Sequence, residues 1–246
     1  MKGYGPETFG QLNADTYDAE HDAQIQAETL AAVQTLSELA AGGPVLEFAI
    51  GTGRIALPLA ARGLAVTGIE ASPEMVAKLR EKPGGEALPV VTGDMADARA
   101  DGAFDLVFLV FNTLFNLTSQ AAQVRCCRNA ARHLSDRGVF VIEAFVPEIG
   151  AYPDGQRTRT VHVAMDRLVM EASVHDPVTQ TIRYQYVAIT PQGVRLTPLP
   201  MRYAWPAEID LMAQLAGLEL RERWGDWDRS PFTQASSKHV SVYGRG

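Results

Sequence analysis

The fold is decided by residues 45–55, with the sequence Val-Leu-Glu-Phe-Ala-Ile-Gly-Thr-Gly-Arg-Ile. The first part is apolar except for Glu47, which predicts a buried strand, and the glycines behind it predict a sharp turn into a helix. Gly51 and Gly53 carry no Cβ, so the backbone can turn tightly and a ligand can approach the main chain. Because ligands of open α/β sheets bind at the carboxyl ends of the strands, this turn predicts one wall of a binding pocket.

The alternation of strand and helix patterns continues from this turn to residue 147. Further strands are predicted at 64–69, 88–92, 104–111 and 139–145, with helical segments between most of them. The fourth run is mostly apolar, as expected of a central parallel strand buried on both faces. The pattern is typical of an α/β fold with a doubly wound, mostly parallel sheet.

The pattern changes after residue 147. A polar connection leads into runs of β character at 161–174, 181–190 and 194–203, which predict antiparallel strands inserted after the fifth strand. A helix at 205–216 and a terminal antiparallel β pair follow. The terminal pair brings the predicted core sheet to seven strands.

These patterns divide the chain into four segments. Residues 1–43 are a lead and a helix, from Tyr17 onward, that cover the pocket; residues 44–147 form the binding core; residues 148–204 form an antiparallel β lid; and residues 205–246 complete the core sheet. We expect the lid to close over the carboxyl edge of the sheet.

Charge and composition exclude several classes of protein. The formal net charge is -7, which argues against a nucleic-acid binder with a basic face. No apolar run reaches the roughly 18 residues that a membrane-spanning helix needs. The cysteines are the adjacent Cys126 and Cys127, which fit no metal-ligand spacing and no disulfide framework. We therefore expect a cytoplasmic protein with no metal, no nucleic-acid partner and no membrane partner.

Acidic residues stand near the carboxyl ends of three successive strands. Glu70 ends the second strand, where a carboxylate can accept hydrogen bonds from both ribose hydroxyls of a nucleoside. Asp94 can accept a hydrogen bond from an adenine amino group while Met95 packs on the ring. Glu47 can bond to backbone N–H groups or to a ligand ammonium. A single acid of this kind is more often a solvated loop residue, but three beside a glycine turn predict a nucleoside pocket.

With these residues in place, the chain resembles the class I S-adenosylmethionine-dependent methyltransferases. Residues 47–53 match the family's acidic and glycine-rich first motif, with Ala49 in place of the first glycine. Glu70 matches its ribose-binding acid, Asp94-Met95 its adenine contact, and Tyr17 an N-terminal tyrosine that touches the cofactor's carboxylate. The resemblance implies a Rossmann-like sheet and S-adenosyl-L-methionine as cofactor.

The resemblance also supplies a set of expected cofactor-binding residues. They are Tyr17, Glu47, Ala49, Gly51, Gly53, Glu70, Ala71, Asp94, Met95 and Phe111. At Ala49 we expect the extra methyl group to be tolerated if the backbone φ is negative, as it is for most residues with a side chain.

Two other interpretations remain open beside a methyltransferase. Gly51-x-Gly53-x-x-Ala56 also fits the pattern of a dinucleotide-binding turn, as in an NAD(P)-dependent oxidoreductase. Glu47, Asp94-Met95 and the lack of a Tyr-x-x-x-Lys pair argue against hydride chemistry. A catalytically inactive S-adenosylmethionine-binding sensor or partner subunit would keep the same cofactor residues.

The β lid resembles that of small-molecule methyltransferases, including amino-sugar N-methyltransferases. The resemblance implies methyl transfer by in-line displacement to a nitrogen or oxygen of a small-molecule acceptor in secondary metabolism. The lid can also build a homodimer interface. The sequence Phe111-Asn112-Thr113-Leu114 stands where enzymes that methylate DNA bases or a protein glutamine have Asn/Asp-Pro-Pro-Tyr, which argues against that branch.

Residues for the acceptor are harder to identify, because a neutral amine needs no general base. By position after the fourth strand, in the lid and in the terminal pair, the substrate candidates are Asn112, Thr113, Tyr186 and Trp224. The catalytic candidates are Glu143 at the end of the fifth strand, His239 at the start of the last strand and Tyr184 in the lid. His21, close to Tyr17, is a weaker candidate.

Overall fold

The computed structural model of the chain describes residues 3–18 and 23–246. Its helices are α1 (Thr8–Tyr17), α2 (Ala23–Ala40), α3 (Ala56–Ala61), α4 (Pro73–Arg80), α5 (Gln120–His133) and α6 (Pro206–Gln214). Its strands are β1 (Val45–Phe48), β2 (Val66–Glu70), β3 (Val90–Thr92), β4 (Phe104–Leu109), β5 (Leu134–Phe145), β6 (Gln156–Val163), β7 (Leu168–Asp176), β8 (Thr181–Thr190), β9 (Gly193–Arg202), β10 (Leu218–Trp224) and β11 (Lys238–Arg245).

The core is a seven-stranded sheet in the order β10-β11-β5-β4-β1-β2-β3. The strands from β1 to β5 run parallel, and β11 pairs antiparallel with both β5 and β10. The order reverses between β1 and β4, and ligands of such sheets bind at this switch point. The predicted α/β fold with seven strands and an antiparallel insertion is confirmed.

Helices cover both faces of the core sheet. Leu36 of α2 and Leu59 of α3 pack against one face, whereas Cys127 of α5 and Ile209 of α6 pack against the other. Every residue of β4 is buried, as its apolar sequence predicted. The two thiols of α5 are therefore part of the core, where they behave as small apolar side chains.

Helix boundaries follow local chemistry. The hydroxyl of Ser72 accepts a hydrogen bond from the Met75 N–H at 3.3 Å, and Pro73 occupies the first turn of α4, as the sequence predicted. The helix predicted from Gly53 begins only at Ala56, because Gly53 has a φ of +82°, which a right-handed helix cannot contain.

The N-terminal segment differs from its prediction. Residues 8–17, expected to be an irregular lead, form helix α1, and the helix expected from Tyr17 onward begins at Ala23. Helix α1 is only weakly amphipathic, and no side chain caps its N-terminus, so its sequence carries little signal. The His21 candidate and the remainder of the predicted boundary, residues 19–22, lie outside the described residues.

The lid is a four-stranded antiparallel sheet in the order β6-β7-β8-β9. The run predicted at 161–174 is two strands, because the chain reverses at a turn where the Ala164 N–H donates to the Arg167 carbonyl at 2.8 Å. The first strand of the lid also starts earlier, at Gln156, inside the predicted connection. Among the described helices, none is long and apolar enough to cross a membrane.

Candidate active site

A cavity of about 410 Å³ opens at the carboxyl ends of β1, β2 and β4. Helix α1 closes one side of it through Phe9, Gly10 and Tyr17, and strand β9 of the lid closes another through Leu199 and Met201. Pockets of this size, concave and mostly apolar with a few polar groups, are typical small-molecule sites. The cavity therefore lies where the glycine turn predicted it.

The structure brings most of the expected cofactor residues to this cavity. They are Tyr17, Glu47, Ala49, Gly51, Glu70, Ala71, Asp94, Met95 and Phe111, and Thr113 lines the cavity beside them. Gly53, Asn112, Glu143, Tyr184, Tyr186, Trp224 and His239 are not among the lining residues. We call the region around Glu47, Arg54, Glu70 and Asp94 the charged half of the cavity.

Glu70 ties two loops together at the end of β2. One carboxylate oxygen accepts the Gly51 N–H at 2.8 Å, and the other accepts the Ser72 N–H at 2.9 Å. Burial raises the pKa of this carboxyl above its ordinary value, whereas the N–H groups of Ser72 and Gly51 lower it. Each carboxylate oxygen has further lone pairs, so both can still accept hydrogen bonds from a ligand.

Glu47 is a buried carboxyl group aimed into the charged half. Its Oε2 atom has no hydrogen-bond partner among the described residues. Burial raises the pKa of Glu47 well above its ordinary value, and the nearby guanidinium of Arg54 opposes that shift. A buried carboxylate oxygen without a partner costs free energy, so this Oε2 atom is a ready acceptor for a ligand ammonium.

Arg54 is the principal cation of the charged half, and sequence reasoning did not select it. Its guanidinium carbon lies 3.5 Å from the ring centroid of Phe111 and 5.9 Å from that of Tyr17. A guanidinium stacked on an aromatic ring keeps its positive charge, which attracts a carboxylate. The signal that was available is its position directly behind the Gly-Thr-Gly turn.

The glycine turn itself differs in two ways from its prediction. Ala49 has a φ of +54°, because the chain leaves β1 in a left-handed conformation, so the negative φ that was our condition for tolerating the methyl group is not met. Gly51 has a φ of +56°, and a Cβ added there would meet only the Ala49 carbonyl oxygen, at 3.9 Å. Gly53 instead packs against Leu79, which a Cβ would strike. This glycine is therefore needed for the turn and for helix packing, and it does not line the cavity.

Asp94 and Met95 belong to a tight turn after β3. A carboxylate oxygen of Asp94 accepts the Ala96 N–H at 2.8 Å. The side-chain amide of Asn129, fully buried on α5, donates to the carbonyl of Met95 at 3.0 Å and to that of Ala98 at 2.8 Å. Asn129 therefore fixes this turn from behind, a role that its mid-helix position did not reveal.

Two candidates near the end of β4 point away from the cavity. The side-chain oxygen of Asn112 accepts the Phe145 N–H at 2.7 Å, so this amide is turned toward β5 and not toward a substrate in the cavity. Glu143, a catalytic candidate, is buried on β5 and accepts the Phe111 N–H at 2.8 Å. Both side chains hold the backbone of the turn that follows β4.

His239 and Trp224 lie in the core, on opposite faces of the sheet. His239 is fully buried on β11 with its Nδ1 atom 2.8 Å from the Ser241 hydroxyl, and burial, with a contribution from Arg223, lowers its pKa to about 4. The Trp224 indole packs in the apolar cluster beneath α2 and donates to Glu222 at 3.2 Å. Neither side chain reaches the cavity.

The two tyrosine candidates occupy the inner face of the lid. The rings of Tyr184 and Tyr186 stack with centroids 6.3 Å apart, and the Tyr184 hydroxyl lies 3.2 Å from that of Tyr152. Tyr184 pairs across the strands with Leu199, which lines the cavity. The pair therefore stands next to the cavity wall and not in it.

The side of the cavity nearest the lid carries no charge. We call it the neutral half; it is lined by Tyr4, Pro6, Asn116, Leu117, Thr118, Ser119, Leu199 and Met201. The Tyr4 hydroxyl is buried with no hydrogen-bond partner among the described residues, and burial raises its pKa to about 12. In the described part of the chain, no cluster of three His, Cys, Asp or Glu side chains can hold a metal.

Helix α1 is anchored to both sides of the cavity. The carboxylate of Asp18, which follows the helix, accepts the Thr52 hydroxyl at 2.7 Å and pairs with Lys82 at 2.7 Å. From the lid, Arg195 of β9 donates to the Thr16 hydroxyl at 2.7 Å and to the Leu12 carbonyl at 2.6 Å. The cover of the cavity is thus bonded to the glycine turn and to the lid together.

The comparisons with known proteins agree with this geometry. Residues 45–138 match a family described as a methyltransferase domain. The chain is 28% identical to the cypemycin N-terminal methyltransferase of a Streptomyces species, over 98% of both chains. It is 30% identical to the dTDP-4-amino-2,3,4,6-tetradeoxy-D-glucose N,N-dimethyltransferase of Saccharopolyspora spinosa, over 74% of this chain and 75% of that protein.

A solved structure extends the match to the whole fold. The CcbJ methyltransferase of Streptomyces caelestis is 39% identical, with a TM-score of 0.92, and the match covers 99% of this chain and 100% of that one. The lid and the N-terminal cover are therefore shared along with the core sheet. The sheet order, the strand-end acids and these relatives together show that the chain belongs to the S-adenosylmethionine-dependent methyltransferases.

Proposed function

We propose that this enzyme methylates an amine nitrogen of a small molecule in secondary metabolism, by in-line displacement. The observation that carries the proposal is the contrast inside one cavity between a charged half and a neutral half without a general base. Two relatives support nitrogen as the acceptor atom, since their names describe an N-terminal methyltransferase and an amino-sugar N,N-dimethyltransferase.

The residues of the charged half fit S-adenosylmethionine. The unpartnered Oε2 atom of Glu47 suits the ammonium of its methionine part, and the guanidinium of Arg54, beside Tyr17, suits the carboxylate. Glu70 suits the ribose hydroxyls, and Asp94 with Met95 suits adenine. When bound, the cofactor supplies an electrophilic methyl group on a sulfonium.

The neutral half fits a neutral amine. A hydroxyl acceptor needs a base to remove its proton, whereas an uncharged amine attacks with its own lone pair. Among the described residues that line this half, none is an acid or a histidine. The hydroxyls of Tyr4, Thr118 and Ser119 can orient polar groups of the acceptor, while Leu199 and Met201 exclude water.

The outer face of the lid suits a homodimer. Apolar side chains stand on this face of four neighbouring strands and are each more than 40% exposed: Val163, Val174, Ile189, Val194 and Leu196. Exposed apolar side chains gathered on one face of a sheet are typical of a protein interface. Size-exclusion chromatography with light scattering should show a dimer that Leu196→Lys dissociates; a monomeric wild type would exclude it.

Two further expectations are part of the same proposal. The four segments at 1–43, 44–147, 148–204 and 205–246 would act as cover, cofactor core, acceptor lid and sheet completion. The cytoplasmic location and the absence of a nucleic-acid partner remain predictions from sequence composition.

The experiment that tests the proposal has two steps. Calorimetry with S-adenosylhomocysteine first measures cofactor binding. A screen with methyl-labelled cofactor then compares amino sugars and peptide N-termini with phenols and alcohols of similar size. We expect labelled product with amines. Transfer to hydroxyls alone would overturn the choice of nitrogen, and tight cofactor binding with no transfer to any acceptor would favour the inactive sensor.

A further inference from the structure

The chain makes an unusual turn where β4 ends. Phe111 has a φ of +55° and Asn112 a φ of +64°, and the Thr113 N–H donates to the Val110 carbonyl at 3.2 Å. Two left-handed residues closed by this bond form a type I′ turn, which favours Asn-Gly at its centre. A phenylalanine in the first central position is strained, because its Cβ crowds the following carbonyl.

Two hydrogen bonds from β5 hold this turn in place. The Phe111 N–H donates to Oε2 of Glu143 at 2.8 Å, and the Phe145 N–H donates to the side-chain oxygen of Asn112 at 2.7 Å. In the first bond the turn donates to a side chain of β5, and in the second β5 donates to a side chain of the turn. A strained backbone persists only where its surroundings impose it, and these two side chains supply that constraint.

The surroundings of Glu143 leave its bond to the turn as its main contact. Its side chain is buried, and its second oxygen lies 3.9 Å from the ammonium of Lys238. That ammonium is closer to Asp226, at 2.9 Å, and also faces Glu28 at 3.8 Å. The carboxylate is therefore only loosely neutralised, and its short contact is the one to the Phe111 N–H.

The turn presents one aromatic ring to the cavity. Phe111 lines the charged half, and the guanidinium of Arg54 lies 3.5 Å above the centre of its ring. The position of the ring depends on the left-handed backbone of Phe111, since a β-region φ would direct the side chain elsewhere. The height and direction of the Arg54 charge therefore depend on the turn.

We propose that Glu143 is a positioning residue for cofactor binding: through the Phe111 N–H it sets the ring that supports Arg54 against the methionine carboxylate of the cofactor. Glu143 itself is not among the residues that line the cavity. The inference rests on the proposed role of Arg54, but it does not depend on which acceptor the enzyme methylates.

The test compares the dissociation constant for S-adenosylhomocysteine between three proteins by calorimetry. Glu143→Ala removes the acceptor of the Phe111 N–H, and we expect the dissociation constant to rise about tenfold, the scale of one lost hydrogen bond to a charged group. In Glu143→Gln the amide oxygen can accept the same N–H, so we expect recovery to within about threefold of the wild type.

A matched control separates positioning from stability. Asp105 lies at the start of β4, at the end of the strand opposite the cavity, where its carboxylate accepts the Arg137 Nε–H at 2.9 Å. Asp105→Ala should lower the melting temperature while the dissociation constant stays that of the wild type. For Glu143→Ala the calorimetric stoichiometry should stay near the wild-type value, because a merely misfolded fraction would lower stoichiometry and leave affinity unchanged.

A double variant keeps the proposal falsifiable. Phe111→Gly removes the ring and lets the turn form without support, since glycine adopts left-handed φ freely. In that background Glu143→Ala should add less than about twofold to the dissociation constant, a coupling expected of residues that act through one another.

Each contrary result has a distinct meaning. Fully additive effects in the double variant, an unchanged dissociation constant in Glu143→Ala, or an equal rise in Asp105→Ala would overturn the positioning role. A wild type that binds S-adenosylhomocysteine but transfers no methyl group would count against the proposed function and leave this inference standing.

Discussion

The two halves of the cavity are built from different parts of the chain and with different chemistry. Acids and an arginine at the ends of core strands line the charged half. The neutral half is lined by the N-terminal segment, a loop after β4 and one strand of the lid. The charged half is suited to a charged nucleoside cofactor that is the same in all these enzymes. The neutral half is suited to a methyl acceptor that differs from one relative to another.

The difference explains why one half was visible in the sequence. The acids that we propose as cofactor ligands, Glu47, Glu70 and Asp94, follow a pattern that is tied to strand ends. An acceptor is held by shape and by a few hydroxyls, which leave no such pattern. Variants in the two halves should therefore separate cofactor affinity from acceptor affinity, and four experiments test that separation.

The largest effect is expected for Glu70→Ala. This carboxylate holds the N–H groups of Gly51 and Ser72 and is placed to accept the ribose hydroxyls. We expect the dissociation constant of S-adenosylhomocysteine to rise between about tenfold and a hundredfold, measured by calorimetry. Glu86→Ala, on the exposed surface, removes the same charge and should change nothing. Comparable affinity in the two variants would break the assignment of the charged half.

For Glu47→Gln we expect two opposite changes: the free protein becomes more stable, and it binds the cofactor more weakly. The pKa of Glu47 is higher in the folded protein than its ordinary value of 4.5, so the wild type loses stability as the pH rises from that value through the raised one. The variant cannot ionise, and its free energy of unfolding should exceed that of the wild type at pH 7.

The same variant should bind the cofactor less well. Without a carboxylate opposite the methionine ammonium, we expect about a tenfold rise in the dissociation constant. Chemical denaturation of the free protein at pH 5 and pH 8, together with calorimetry, measures both quantities. A variant that loses stability and keeps its affinity would show that Glu47 has only a structural role.

A smaller effect, confined to the acceptor, is expected for Met201→Ala in the neutral half. The side chain lines the cavity from β9, and its removal takes away apolar contact with the acceptor. We expect the KM for the acceptor to rise about fivefold while the affinity for S-adenosylhomocysteine stays within about twofold. Leu211→Ala, exposed on α6, is the control. A matching loss of cofactor affinity would show that the halves are not separate.

The smallest effect is expected for Ala49→Gly. Ala49 adopts a φ of +54°, which costs a residue with a Cβ more than it costs glycine. We expect the variant to be more stable by about 1 kcal/mol, with unchanged cofactor affinity. Ala56→Gly, in helix α3, should instead destabilise by about 0.5 to 1 kcal/mol. Equal destabilisation by both changes would mean that the methyl group of Ala49 makes contacts that outweigh its strain.

Sequence reasoning predicted the fold and the place of the cavity because both depend on strong local periodicity. Alternating strand and helix patterns, with glycines behind β1, fix the sheet and its binding edge. It failed for helix α1, whose apolar residues follow no clear helical period, and for the turn inside the lid, where no glycine or proline interrupts the β pattern.

The direction of side chains at turns was the other limit. Asn112 and Glu143 both stand at strand ends, as Glu70 and Asp94 do, yet they bond to backbone in the turn after β4. Whether a strand-end side chain faces a cavity depends on the φ angles of its neighbours, which cannot be predicted from the sequence pattern. Arg54 shows the converse, because its role comes from the aromatic rings that the fold brings around it.

The bonds of α1 to both sides of the cavity have a kinetic consequence. Because Arg195 connects the helix to the lid and Asp18 connects its end to the glycine turn, the charged half cannot open without disturbing the neutral half. We therefore expect the cofactor and the methyl acceptor to enter the cavity through the same opening. Movement of α1 should therefore govern the entry and the release of both ligands.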